Sequence, residues 1–164
     1  MEGTSEIRFF ANLSPSMIAH RTRLGRPLVL PLHVVAKDHP FPHPDWDDFV
    51  LPILSGWLER VRGLLTGENK VALLRFMDGP YSIRLTVKDG QAVEFATLIN
   101  EREVDGKTVK GNVLLSDFAR QLLEAAGNLM GTLEKSGVQN DDTTALRDEM
   151  GRSQQVMEMS PRRH

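Results

Sequence analysis

Hydrophobic and polar positions alternate in the middle of the chain, where short apolar runs are separated by Asp78-Gly79, Asp89-Gly90 and Asp105-Gly106. Asp-Gly between such runs predicts hairpins, because tight hairpin turns need residues with positive φ. The run over 81–87 alternates strictly, which predicts one buried and one solvated face. The run over 71–77 is apolar on both faces, which is typical of a central strand. We therefore predict a four-stranded antiparallel meander over residues 70–115.

Two longer segments repeat their apolar residues with the period of an amphipathic helix. The first follows Asp45, a residue suited to the N-cap, and ends at Gly67. Pro52 lies inside this segment and predicts either a kink or a later start of the helix. The second segment follows Ser116, which is also suited to the N-cap, and ends near residue 136.

The remaining segments complete the predicted architecture. Residues 5–13 and 27–35 have the composition of strands, and prolines are expected to hold residues 37–48 as an extended connection. The order ββαββββα predicts an α+β two-layer sandwich, with two long helices packed on one face of an antiparallel five- to six-stranded sheet. We expect a single domain over residues 1–136. The polar segment 137–164 is expected to be a weakly ordered tail, with a transient helix at most.

Composition excludes several classes of function. The 164 residues contain no cysteine, which excludes disulfides and thiolate metal sites. The formal net charge of −2 is too small to indicate nucleic acid or a membrane surface as a partner. The beginning of the chain lacks a basic region followed by an apolar stretch, and no apolar run approaches the roughly 20 residues that span a bilayer. We therefore expect a cytoplasmic protein.

The titratable residues offer few candidates for chemistry. The chain has no P-loop, no Gly-x-Gly-x-x-Gly and no nucleophile-elbow motif. His39 and His43 lie among aspartates and could supply metal ligands, but the prolines around them keep the segment extended and the imidazoles apart. A solvated loop is the simpler interpretation. We expect no catalytic residue, no metal site and no cofactor.

Five residues are candidates for binding a partner. Glu101 and Glu103 alternate on a strand that is expected to extend into solvent as a charged ribbon, tipped by the third Asp-Gly pair. Asp78 and Tyr81 belong to a turn in which proline follows glycine, which is unsuited to a simple two-residue hairpin loop. Trp46, at the exposed start of the first helix, is a residue type enriched in interface hot spots.

One set of aromatic and turn residues resembles a known class of protein. It comprises Asp-Trp-x-x-Phe at 45–49, Gly-Trp-Leu at 56–58 and Phe-Met-Asp-Gly-Pro-Tyr at 76–81. This set, within residues 5–135, resembles small bacterial proteins that act as immunity proteins against polymorphic or contact-dependent toxins. The resemblance implies a non-catalytic cytosolic protein that binds a cognate toxin and blocks its active surface.

Two other functions are compatible with the sequence. A secretion or assembly chaperone would share the α+β organisation and act as a homodimer through its helices. A small enzyme would use a pocket between the helices and the sheet, with His33, Tyr81 or Asp78 as reactive groups. For a chaperone, as for an immunity protein, the expected partner is another protein. Neither nucleic acid nor a membrane is expected as a partner.

Overall fold

The chain contains the elements of the predicted order ββαββββα, with two further strands before the first helix and a third helix at the end. The computed structural model describes residues 6–11, 16, 18 and 28–159. The strands are β1 (Ile7–Ala11), β2 (Val29–Ala36), β3 (His39–Phe41), β4 (Asp47–Phe49), β5 (Val71–Arg75), β6 (Tyr81–Val87), β7 (Ala92–Ile99) and β8 (Lys110–Leu114). The helices are α1 (Val50–Leu65), α2 (Leu115–Lys135) and α3 (Asp141–Met159).

The strands form two antiparallel sheets of four strands each. In the first sheet β2 pairs with β1, β3 and β4. The second sheet is the meander β5-β6-β7-β8, in which each strand pairs with the next. The α+β class, the antiparallel pairing and the meander confirm the expectation from sequence. The number of strands differs, because β3 and β4 join β1 and β2 in a sheet of their own.

The segment between β2 and α1 is not the extended connection that its prolines predicted. Lys37 and Asp38 have φ values of 47° and 68°, and this tight turn returns the chain as β3. Asp47–Phe49 then pairs with Val29–Pro31 as β4. Both strands have only three residues and form beside β2. Pairing with β2, and not the local composition of these residues, therefore specifies them as strands.

The two helices that the sequence predicts, α1 and α2, begin away from the predicted N-cap residues. α1 starts at Val50, because β4 separates Asp45 from the helix. Pro52 is the third residue of α1, where its missing N–H costs no helical hydrogen bond, so the later start that it indicated is confirmed. α2 starts at Leu115, one residue before Ser116.

The helices enclose the core together with both sheets. α1 contacts α2, α3, β2 and β5, and α2 also contacts β1 and β8. The core therefore draws on every layer, and its largest fully buried side chains are Phe95, Phe118, Ile7, Ile18, Leu30, Leu32, Leu51, Leu58, Leu74, Ile83, Leu85 and Leu98. Each such side chain stabilises the fold by roughly 1.5–3 kcal/mol when it leaves water.

The C-terminal segment forms helix α3, which corrects the prediction of a weakly ordered tail. α3 packs on α1 and α2 and buries Leu146 completely. Its start is capped reciprocally, because Asn140 and Thr143 each accept the other's backbone N–H through a side-chain oxygen at 2.9 Å. Arg62 Nε of α1 donates to Glu149 Oε1 at 2.7 Å. Hydrophobic periodicity did not reveal α3, because polar contacts hold much of its packed face.

Within residues 92–114 the predicted charged ribbon does not form. β7 ends at Ile99, and Asn100 and Glu101 turn the chain with φ values of 53° and 61°. Val104 N–H then donates to Thr108 Oγ1 at 2.6 Å, which closes a short loop. The third Asp-Gly pair therefore lies in this closed loop, and β7 is shorter than predicted.

Candidate functional site

The turn between β5 and β6, residues 76–81, is anchored by one buried carboxylate. Asp48 of β4 is fully buried and accepts hydrogen bonds from the backbone N–H groups of Met77 and Asp78, each at 3.1 Å. The same carboxylate accepts from Trp46 Nε1 at 2.9 Å and from Phe49 N–H at 2.8 Å. Hydrogen bonds to an ionised acceptor are stronger than neutral ones, so Asp48 ties the turn firmly to the first sheet.

Aromatic side chains pack against the same turn. Trp46 meets Tyr81 edge-on with ring centroids 5.2 Å apart, and Tyr81 meets Phe41 at 5.6 Å. Gly79 has a φ of 124°, and an added Cβ would lie 2.9 Å from Trp46 Cη2. A side chain at this position would strain the backbone and displace Trp46, so the glycine is required. Trp46 lies just before β4 and not on α1, where the sequence placed it.

A shallow pocket of about 320 Å³ lies between this turn and the turn that follows β7. The two turns touch where Asn100 N–H donates to Pro80 O at 2.7 Å. The residues that line the pocket are Arg75, Phe76, Gly79, Pro80, Tyr81, Ser82, Asn100 and Glu101. Arg75 Nη2 and Glu101 Oε1 form an ion pair at 2.6 Å, with both side chains more than half exposed. An ion pair this exposed contributes little to stability, so a partner can displace it at small cost.

Strand β5 is an edge of the second sheet, although its apolar sequence predicted a central position. Lys70 O accepts from Val87 N–H at 2.8 Å, and Phe76 N–H donates to Tyr81 O at 3.0 Å. In an antiparallel ladder this register turns the backbone N–H and C=O groups of every second β5 residue away from β6. We call these outward-facing residues the open edge; they are Val71, Leu73 and Arg75.

The open edge has apolar side chains around it and few partners for its backbone. Trp57 Nε1 donates to Arg75 O at 2.8 Å. Among the described strands, only β6 pairs with β5. Val71 and Met77 are 53% and 56% exposed, in contrast to the buried inner face of the strand. Unpaired backbone groups beside exposed apolar side chains form a template for the addition of another strand.

A groove of about 160 Å³ lies between the open edge and α1, and we call it the α1–β5 groove. Its lining residues are Pro52, Ile53, Gly56, Trp57, Arg60, Leu73, Arg75 and Met77. Nothing lies within 4 Å of the position that a Cβ on Gly56 would take, so the helix backbone is accessible there. The lining contains two guanidinium groups and no carboxylate.

The structure brings together four of the five candidate binding residues. Trp46 contacts Tyr81, and Tyr81 lines the same pocket as Glu101. Asp78 belongs to the anchored turn through its backbone, while its side chain is exposed. The sequence alone does not single out Asp48, because nothing local separates this buried aspartate from the aspartates beside it.

Glu103 lies apart from the other candidates. Its Oε1 atom pairs with Lys110 Nζ at 2.5 Å and with Arg84 Nη2 at 3.0 Å. The hydrogen bond from Lys110, supported by the one from Arg84, lowers the pKa of the Glu103 carboxyl. Glu103 therefore holds the loop after β7 against the sheet, and does not line the pocket that contains Glu101.

The histidines singled out in the sequence occupy separate positions around β2 and β3. His43 Nδ1 accepts from Asp45 N–H at 3.2 Å, and its ring packs edge-on against Trp46. Burial lowers the pKa of His33, which lies half-buried on β2. In the part of the chain that the structure describes, no group of three or more His, Asp or Glu residues could hold a metal ion.

Comparison with known proteins adds no relative. No protein-family model, curated protein or solved structure matches the chain. No helix within the described ranges is both long enough and apolar enough to cross a bilayer. Function is therefore inferred from the anchored turn, the open edge and the α1–β5 groove.

Proposed function

We propose that this protein is a non-catalytic protein-binding module, and that an extended segment of its partner adds to β5 as a further strand. The observation that carries the proposal is the outward-facing backbone of Val71 and Leu73, together with the N–H of Arg75, next to the exposed Met77. Strand addition derives affinity from main-chain hydrogen bonds and specificity from alternate side chains. The open edge supplies the main-chain hydrogen-bonding groups, and the α1–β5 groove supplies the contacts with alternate side chains of the partner.

The surroundings of the open edge suit a docking surface because they are preorganised. Asp48 and the aromatic side chains hold the turn directly after β5, which fixes the position of Met77. Trp57 fixes the same end of the strand by donating to the outward carbonyl of Arg75. A surface that is already ordered loses less conformational entropy when a partner binds.

The resemblance to immunity proteins makes a bacterial toxin the proposed partner. A protein of this design would hold an extended segment of the toxin against β5 and cover the adjoining toxin surface. Cytoplasmic location belongs to the same proposal, because an immunity protein acts where the toxin would act.

A second candidate function, a dimeric assembly chaperone, is favoured by the same open edge. Two β5 strands can pair antiparallel across a two-fold axis, since an isologous contact uses one patch twice. Such a dimer would occupy the surface that we assign to a partner. Sedimentation equilibrium separates the two functions, because a monomer at micromolar concentration keeps the edge free and a β5-mediated dimer does not.

The test of strand addition uses peptides selected against the folded protein from a random library. In the complex, the amides of Val71, Leu73 and Arg75 should be protected from hydrogen exchange relative to the free protein. Two matched peptides are then compared. The first carries N-methyl groups on the backbone nitrogens that face β5, and the second carries them on the nitrogens that face away. Only the first peptide should lose binding, because it lacks the donors that pair with the edge.

A matched pair of proline variants examines the same contact from the protein side. Leu73→Pro removes an outward N–H and leaves the β5–β6 ladder intact, whereas Ala72→Pro removes a ladder hydrogen bond and should destabilise the sheet. The Leu73→Pro protein should fold and lose peptide binding. Peptides that protect no β5 amide, or that bind the folded Leu73→Pro protein as tightly as the wild type, would contradict the proposal.

A further inference from the structure

We infer that the partner strand is acidic and that it places an apolar side chain over Gly56 in the α1–β5 groove. This inference rests on the proposed function, since it describes the strand that would occupy the open edge. It depends on two features of the groove, which are the charge of its lining and the glycine at its floor.

The charge of the groove has one sign. Arg60 and Arg75 both line it, and none of the other lining residues is acidic. Arg75 shares its charge with Glu101 in an exposed ion pair. Arg60 is exposed and has no ion-pair partner within residues 28–159. A carboxylate of the partner would therefore meet a guanidinium that can bind it through two hydrogen bonds.

Gly56 at the floor of the groove is not required by the packing of this chain. It lies in the interior of α1, where glycine favours the helix less than any residue except proline. Its φ is not positive, and no atom stands within 4 Å of the missing Cβ. Ile53 and Met77 line the groove beside it. Gly131 and Gly151 are also helical glycines with open Cβ positions, and Gly56 differs from them because it lines the groove, where a partner side chain can approach the helix backbone.

The geometry of an added strand combines these two features. Successive side chains of a strand point to opposite faces, so alternate residues of the partner would face α1 and lie over Gly56. The residues between them would lie on the face that carries Leu73 and Arg75, so their carboxylates would meet Arg75 directly, whereas Arg60 on α1 adds positive charge from across the groove. Over a length comparable to the five residues of β5, the segment that fits alternates apolar and acidic residues.

The experiment compares three acetylated and amidated peptides with the repeats Glu-Val, Gln-Val and Lys-Val, titrated into the isotope-labelled full chain. The Glu-Val peptide should bind about tenfold more tightly than the Lys-Val peptide at low salt, with the Gln-Val peptide between them. Added salt should narrow this difference, because it screens charges on an exposed surface. Amide protection should again map to Val71, Leu73 and Arg75.

Two alanine variants test the floor of the groove. Gly56→Ala adds one methyl group at the floor and should weaken binding of the Glu-Val peptide about fivefold. Gly131→Ala is the matched control, because Gly131 is also helical, has open space at its Cβ position and lies in α2 outside the groove. This control should bind the peptide like the wild type.

The outcomes distinguish the inference from the function on which it rests. Equal affinity for the three peptides, with protection at β5, would overturn the acidic partner and leave strand addition standing. If the Gly56→Ala protein binds the Glu-Val peptide as tightly as the wild type, the inference that an apolar partner side chain lies over Gly56 is wrong. Absence of β5 protection with every peptide, including those selected from the random library, would contradict the proposed function itself.

Discussion

The two edges of the second sheet differ in what covers their backbone. At β8, Asn112 N–H donates to Glu6 Oε2, from the residue just before β1, and the first sheet thereby reaches the edge. At β5, no described strand pairs with the outward backbone of Val71 and Leu73. One meander thus has an edge whose central amide is occupied by a side chain next to the first sheet, and an edge at which Trp57 binds only the last outward carbonyl, that of Arg75, and leaves Val71 and Leu73 open.

This difference indicates which edge is available for binding. Folded proteins protect exposed strand edges with charges, bulges or covering segments, because open edges promote association. The β8 edge follows this rule, since Lys110 and Glu103 pair at its start and Glu6 occupies an amide beyond it. The β5 edge also has an ion pair, between Arg75 and Glu101, and both edges have exposed apolar residues, which are Leu114 at β8 and Val71 and Met77 at β5. The β5 edge differs because no described strand or hydrogen-bonding side chain occupies the outward backbone of Val71 and Leu73. The unoccupied backbone at Val71 and Leu73 makes the β5 edge the candidate surface for a partner.

The largest expected effect comes from removing the carboxylate that frames the open edge. Asp48→Ala leaves the N–H groups of Met77 and Asp78 without their acceptor, and it removes the partner of Trp46 Nε1. The loss of several hydrogen bonds to a buried charged group should lower the free energy of unfolding by about 3 kcal/mol. Urea denaturation measures this loss, and amide exchange should accelerate more at Met77 than at Asn112 on the β8 edge.

Asp45→Ala is the control for Asp48→Ala. It removes an exposed carboxylate from the same segment and should change the free energy of unfolding by less than about 0.5 kcal/mol. Equal losses in the two variants, or an equal rise in exchange at both edges, would show that Asp48 has no particular role at β5.

The comparison of edges also explains which parts of the fold the sequence predicts. The alternation over 81–87 and the Asp89-Gly90 turn are local signals, and β6 and β7 pair as they predict. The position of β5 at an edge depends on which elements pack beside it in the folded protein. The apolar pattern of β5 does not specify those neighbours. α1 covers the inner face of β5, while Val71 and Met77 face outward, so a strand that is apolar on both faces is not central here.

The candidate site was also predictable only where its features are local in sequence. The proline after Gly79 marks residues 78–81 as an unusual turn, and the structure shows a packed turn there. The contact that anchors this turn joins Asp48 to residues about thirty positions later, and no local pattern encodes such a contact. Glu101 and Glu103 illustrate the opposite case, because a shared strand was expected and β7 ends at Ile99, before both residues, in the turn at Asn100 and Glu101.

Alanine at a glycine beside each edge should change stability in opposite directions. An added Cβ on Gly111 of β8 would lie 2.7 Å from Phe95 Cζ and 2.8 Å from Lys37 Cε, so Gly111→Ala should cost about 1–2 kcal/mol. Gly56→Ala should raise the free energy of unfolding by up to about 1 kcal/mol, because its Cβ position is open and alanine favours the helix. Urea unfolding of both variants measures the two changes, and changes of the same sign would mean that the two glycines are packed alike.

The smallest expected effect is a pH dependence at the closed edge. The hydrogen bond from Lys110 of β8, with that from Arg84, holds the pKa of Glu103 below its ordinary value of 4.5. A carboxyl group whose pKa is lower in the folded than in the unfolded chain stabilises the fold above the unfolded value. This contribution is complete above pH 4.5 and is lost as the pH falls from there through the pKa of the folded protein.

Glu103→Gln removes this contribution and so isolates it. The difference in unfolding free energy between the wild type and the variant should be largest near neutral pH and should shrink as the pH is lowered to about 3. Glu101→Gln is the matched change beside the open edge, where the ion pair with Arg75 is more than half exposed on both sides. The Glu101→Gln protein should keep the part of the pH dependence that Glu103 supplies. A difference between the wild type and Glu103→Gln that stays constant with pH would show that the pairing with Lys110 does not help to close the β8 edge.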